Sequence, residues 1–222
     1  MNGIIGFFDS FGFIGIQTDS EKKATQILNT IFGVSLILGF DSLSVRESEL
    51  SYAKKNSKSK SIGGFSWQNS DTKRPNPYSS HGLRKTAIPI DSMKEIIDIT
   101  ENVLRNDTLN DSILFLLESY THLHDSEYSP SFIFSWFIIE KRISQLFDEM
   151  LSEKDVTRER KNKFENHGIW SSDTKIEVLN FCGKITDEEH KPISKYNKMR
   201  NKFVHQNNRI DKDESIKLFE LS

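Results

Sequence analysis

From residue 87 onward, apolar side chains return every three or four positions, and this period decides what the chain can fold into. It demands helices that each bury one stripe against a neighbour. The pattern predicts helices over 91–105 (Met93, Ile96, Ile97, Ile99, Val103), 109–124 (Ile113, Leu116, Leu117, Tyr120, Leu123) and 130–153. Further helices are expected over 173–183, 187–206 and 212–221, with a polar helical spur over 156–165. Asp91 and Ser129 are expected caps, Pro130 fits a first turn, and Gly183 is placed to end a helix. Short connections favour antiparallel neighbours in a bundle.

The first part of the chain reads differently. Residues 20–38 predict one helix, capped by Asp19 or Ser20, striped by Ala24, Leu28, Ile31, Ser35 and Leu38, and ended by Gly39. Residues 42–52 partly alternate polar and apolar, as a short strand does. Residues 53–81 hold Lys54-Lys55-Asn56-Ser57-Lys58-Ser59-Lys60-Ser61, then Gly63-Gly64 and Pro75-Asn76-Pro77. Such composition buries too little apolar surface to fold alone. It predicts a mobile linker or surface loop. The sharper alternative is an arm in which Lys54, Lys55, Lys58 and Lys60 neutralise RNA phosphates, with Trp67 and Tyr78 near for stacking. The expected fold class is therefore mainly α. A C-terminal antiparallel helical bundle (86–222) follows a smaller N-terminal α/β or irregular region (1–85).

Charge and cysteine content narrow the function classes. A formal net charge of −2 over 222 residues gives no global basic field, so any nucleic-acid contact must be a local patch. One cysteine, Cys182, excludes an intrachain disulfide and cysteine-pair zinc sites, and suits a reducing cytoplasm. In Leu179-Asn180-Phe181-Cys182-Gly183 it is expected to be a buried, inert thiol. Residues 1–16 are apolar but lack a positive leading segment and are broken by Asp9, Gly12 and Gly15, so they read as folded or docked chain and not as targeting sequence. The longest apolar stretch, 132–139, is too short to span a bilayer. His122 and His124, two apart on a helix, face different sides and make a poor metal pair. Gly12-Phe13-Ile14-Gly15 lacks the helix that phosphate cradles require. No metal and no cofactor is expected.

Two features carry chemistry. On the 130–153 helix, Phe132, Trp136, Glu140, Ile143, Phe147 and Met150 share a stripe, and a carboxylate on a packed face needs a partner. An Arg or a buried backbone donor is expected. In the other reading, Ile133, Phe137 and Ile139 form the seam and Glu140 is solvated at its edge. On the 187–206 helix, Ile193, Tyr196, Met199 and Phe203 form a core stripe beside Arg200, Asn201 and His205. Asn201 and His205, four apart, share a face, whereas Arg200 and His205 lie about 140° apart on an ideal helix. One small ligand can meet both only if the helix is distorted or a second copy completes the site. An arginine fork can hold a phosphate, and a histidine that titrates near neutrality suits acid–base catalysis. With Asn201 orienting them, these groups suit attack of a ribose 2′-OH on the adjacent phosphorus, a reaction that needs no metal and takes RNA, not DNA. The bare Arg-x-x-x-x-His spacing is not diagnostic alone.

The context adds to it. Asp173-Thr174-Lys175-Ile176-Glu177-Val178-Leu179, then Gly183-Lys184-Ile185, then Met199-Arg200-Asn201-Lys202-Phe203-Val204-His205 resembles the closing half of a HEPN domain. Residues 131–151 resemble the long central helix of its Apea-like branch, including the acidic Glu140. The resemblance covers roughly residues 90–210. It implies a homodimeric, metal-independent endoribonuclease serving as a toxin or phage-defence effector, with an antitoxin or regulatory partner. Arg200, Asn201 and His205 would be catalytic, Glu140 would support them, and Lys202 would bind RNA. The family also has members that do no cleavage, so a module binding RNA, a nucleotide or a partner protein is the alternative.

Overall fold

The computed structural model describes residues 5–8, 14–18, 20–50, 88–153, 157, 159, 163–164 and 170–222. Among these the chain is mainly helical. β1 (Ile5–Phe8) and β2 (Ile14–Gln17) pair antiparallel, with Ile5 opposite Gln17 and Phe8 opposite Ile14. Helices follow as α1 (Glu21–Ile37), α2 (Ile90–Val103), α3 (Asp107–His124), α4 (Tyr128–Glu153), α5 (Ser172–Phe181), α6 (Asp187–Gln206) and α7 (Lys212–Leu221). No described helix is long and apolar enough to cross a membrane. The expected loop over 53–81, with Lys54, Lys55, Lys58 and Lys60, lies outside the described residues, as does most of the 156–165 spur.

The chain divides into two compact units, Met1–Leu117 and Glu118–Ser222, the division falling inside α3. The expected boundary near residue 85 lies outside the described residues. Periodicity foretells helices but not which of them pack together, and α2 packs against α1 in the first unit.

In that first unit α1 is buried on every side from Ile27 to Ser35. Ser20 caps it, its Oγ accepting from the Lys23 N–H at 3.1 Å, and Gly39 closes it at φ +85. The strand expected over 42–52 is not present among residues 42–50, which carry a 3-10 turn at Glu47–Glu49 instead. The reason is a side chain. Buried Asn29 donates to the Val45 carbonyl (3.0 Å) and accepts from its N–H (2.7 Å), satisfying both backbone groups that a strand partner would take. Thr30 of α1 donates to Asn110 of α3 at 2.7 Å. Gly33 lets these helices approach closely, because a Cβ there would lie 2.4 Å from Ile113 Cγ2 and 3.1 Å from its carbonyl oxygen. Gly33→Ala is thus expected to destabilise the protein by about 1–2 kcal/mol, overpacking outweighing the gain in helix propensity. A chemical denaturation midpoint at or above that of the parent would refute this.

In the second unit α4 is central, packed against α5, α6 and α7. Phe132, Trp136, Ile143, Phe147 and Met150 of the first stripe are buried; of the alternative seam Ile139 is buried, Ile133 packs at the margin of the core and Phe137 is exposed, and Glu140 is about a quarter exposed (26%). Joined by a short connection, α5 and α6 run antiparallel, as the Asn180–Asp187, Glu177–His190 and Asp173–Asn197 contacts show. After a longer connection α5 lies beside α4 in the same direction, as Glu140–Ser172 and Ser144–Lys175 hydrogen bonds show. Two expected caps are corrected. Pro89, not Asp91, precedes α2, and Asp91 sits in its first turn. Ser129 lies within α4, and its Oγ instead accepts from the Ile210 N–H at 3.1 Å, fastening the segment before α7. Cys182 is exposed and not buried, because the last turn of α5 points Phe181 and Cys182 outward while Leu179 fills the core.

Candidate active site

The frame of the site is α6. Thr186 and Glu189 form a reciprocal capping box at its start. The Thr186 N–H bonded to the Glu189 carboxylate (2.8 Å) holds that carboxyl below its usual pKa. Asn207, left-handed at φ 56, closes the other end. Ile193 and Tyr196 are buried, and Met199 and Phe203 pack against the core at its margin. Buried Asn197 donates to Asp173 at 3.2 Å, tying α6 to α5. The helix runs unbroken through 200–205, so Arg200 and His205 diverge by about 140°.

Arg200 lies on the packed side. Its Nη2 donates to Glu140 Oε1 at 2.8 Å, and both side chains are about a quarter exposed (25% and 26%). The same carboxylate oxygen accepts the Ser172 hydroxyl. Arg200 Nη1 donates to Asn201 Oδ1 at 2.9 Å. Of the two partners expected for the carboxylate in the apolar stripe of α4, an arginine or a backbone donor, it has the arginine, and also a hydroxyl from the start of α5. Ser172 carries no sequence signal: the contact spans 32 positions, and nothing in Ser171-Ser172-Asp173 separates a ligand from a capping residue.

His205 lies one turn beyond Asn201 on an exposed face, and its side chain makes no hydrogen bond or ion pair to another described residue. Lys202 is exposed beside it. The structure thus gathers Glu140, Arg200 and Asn201 and leaves His205 outside that cluster, with Asn201 bridging the two faces.

The chain matches no family model, no curated protein and no solved structure. The assignment of chemistry therefore rests on the residues themselves.

Two other constellations come together without making a reactive site. His190 Nε2 contacts both Glu177 (3.1 Å) and Ser194 (3.2 Å). A serine nucleophile needs its acid on the opposite ring nitrogen, so this is a shared hydrogen bond and not a relay. His122 contacts Glu127 at 2.6 Å and stacks on Phe134 at 5.4 Å. His124 turns to Asp125 instead. Among the described residues no cluster of three or more His, Cys, Asp or Glu is placed to hold a metal.

Proposed function

We propose that the chain is an endoribonuclease of the HEPN type. In this reading Arg200 binds the scissile phosphate, His205 exchanges the proton, Asn201 orients them, and Glu140 holds the arginine. The observation that carries it is the Glu140–Arg200–Asn201 network. An ion pair inside an apolar helix stripe is costly to maintain, and it fixes a guanidinium that is a quarter exposed, on the helix that also carries a histidine whose side chain makes no hydrogen bond or ion pair among the described residues. Two of the five guanidinium N–H donors are engaged by Glu140 and Asn201, leaving others for a phosphate.

The 2′-OH of the substrate is the nucleophile. It loses its proton as its oxygen bonds to phosphorus, the bond to the 5′-oxygen of the next nucleotide breaks, and that oxygen takes up a proton. A 2′,3′-cyclic phosphate remains. His205 serves one of these transfers. Because Arg200 and His205 of one chain diverge, a second copy placed against α6 would supply the facing groups, and the active form in this reading is a homodimer. Incubation with mixed cellular RNA and EDTA is expected to yield fragments ending in 2′,3′-cyclic phosphate, from a species that sediments as a dimer. Hydrolysis leaving only plain 3′-hydroxyl ends would eliminate this chemistry.

The same divergence favours a second reading, a non-catalytic module that binds RNA, a nucleotide or a partner protein. There the Glu140 pair would fix the shape of α4 and α6, and intact RNA would be recovered from stable complexes.

A further inference from the structure

The outward face of α6 carries Lys191, Lys195, Lys198 and Lys202 at steps of four, three and four residues, all exposed. On a helix these form one stripe, with side chains about 6, 4.5 and 6 Å apart along the axis. His205, three positions on, continues the stripe. With His190, Ser194 and Met199 the lysines line an open concavity of about 480 Å³.

Like charges three and four apart on a helix repel, so the stripe carries a standing cost. Among the described residues, one of its members is relieved internally. Lys195 donates to Glu214 of α7 at 2.5 Å, a bond that raises its pKa above the usual lysine value. Lys191, Lys198 and Lys202 have no ion pair among the described residues. This concentration stands out in a chain whose formal net charge is −2. Acidic residues close one end, with Asp187 and Glu188 in the first turn of α6 and Glu177 on His190. The other end is open and leads to His205.

We propose that this stripe is the bed for the phosphate backbone of single-stranded RNA, which runs along α6 from Lys191 toward His205 and brings one phosphate to the last turn of the helix. The inference deepens the nuclease reading and rests on it for the direction of the strand. A row one residue wide suits one backbone. Of the lining residues only Met199 is apolar, so the face offers little to a lipid surface, which would want apolar side chains flanking the cations.

The test uses the full chain and a short mixed-sequence 2′-O-methyl oligoribonucleotide, whose blocked nucleophile separates binding from cleavage. Each phosphate neutralised on a single strand contributes about −0.7 to the slope of log K against log salt. Replacing Lys191, Lys198 and Lys202 together by Gln is expected to flatten the slope by about 2, as three such contacts are lost. Lys195→Gln, already neutralised, should change it less. Glu214→Gln, which frees Lys195, should steepen it by about 0.7. An unchanged slope in a triple variant with parental circular dichroism would overturn the proposal. So would loss of binding to phosphatidylserine vesicles with RNA binding intact. A flattened slope in a protein that never cuts ordinary RNA keeps the binding stripe and removes the nuclease. Cleavage with an unchanged slope does the reverse.

Discussion

On the proposed nuclease reading, replacing His205 by Ala is expected to abolish RNA cleavage while leaving the melting temperature within about a degree or two of the parent. The loss should be at least a hundredfold, since positioned general acid–base groups contribute about 10²–10⁴ in rate. Stability should hold because the His205 side chain is exposed and makes no hydrogen bond or ion pair to another described residue. What is removed is an exposed imidazole in the last turn of α6. The Asn207 cap is a backbone feature, its N–H bonded to the Phe203 carbonyl at 3.0 Å, and does not involve the imidazole. Rates on a fixed RNA and a thermal melt, measured on the same two preparations, decide the matter. A His205→Ala variant that cuts as fast as the parent would end the assignment of this residue. A large drop in melting temperature would show that the side chain is structural.

How far these residues could be read in advance depended on the range of the interaction concerned. The helices expected over 187–206 and 212–221 are met by α6 and α7, because the periodic apolar positions that mark them are local and lie just after the Thr186 and Asp211 caps. The strand expected near residue 45 failed because the competing partner, the Asn29 amide, lies 16 positions away. The cap expected at Ser129 failed likewise, its hydroxyl being taken by Ile210 at a separation of 81. Cys182 was placed in the core by its apolar neighbours, but the last turn of a helix need not face the side its middle faces. In the candidate site, the anomaly of Glu140 was legible, since a carboxylate among Trp136, Ile143 and Phe147 demands a partner. Arg200 as that partner is a matter of helix packing, visible only once α4 and α6 are side by side. The divergence of Arg200 from His205 was legible from helix geometry alone, and the unbroken α6 keeps it.

Arg200 is the position where stability and chemistry should part company most clearly. Arg200→Ala leaves the Glu140 carboxylate, among the described residues, with the Ser172 hydroxyl alone, on a stripe otherwise made of buried apolar side chains. Breaking a fully buried pair costs about 3–5 kcal/mol, and with a quarter of each side chain exposed the expected cost here is nearer to about 2 kcal/mol. In a chain of this size that lowers the melting temperature by about 4–8 °C. Glu140→Ala added to Arg200→Ala should cost less than the two changes separately, because the double variant strands no charge. A coupling of about 1–3 kcal/mol is the expected result. Additivity within about 0.5 kcal/mol would mean the pair is not energetically joined. Arg200→Lys then separates the roles. A lysine can still meet Glu140 as a point charge, so much of the stability should return. It lacks the planar fork that binds Glu140 and Asn201 while keeping donors for a phosphate, so cleavage should stay at least tenfold down, a loss of about 1.4 kcal/mol in transition-state binding. An Arg200→Lys variant that recovered both properties together would reduce Arg200 to a structural cation. Recovery of the fold without recovery of cleavage would place the guanidinium on the substrate.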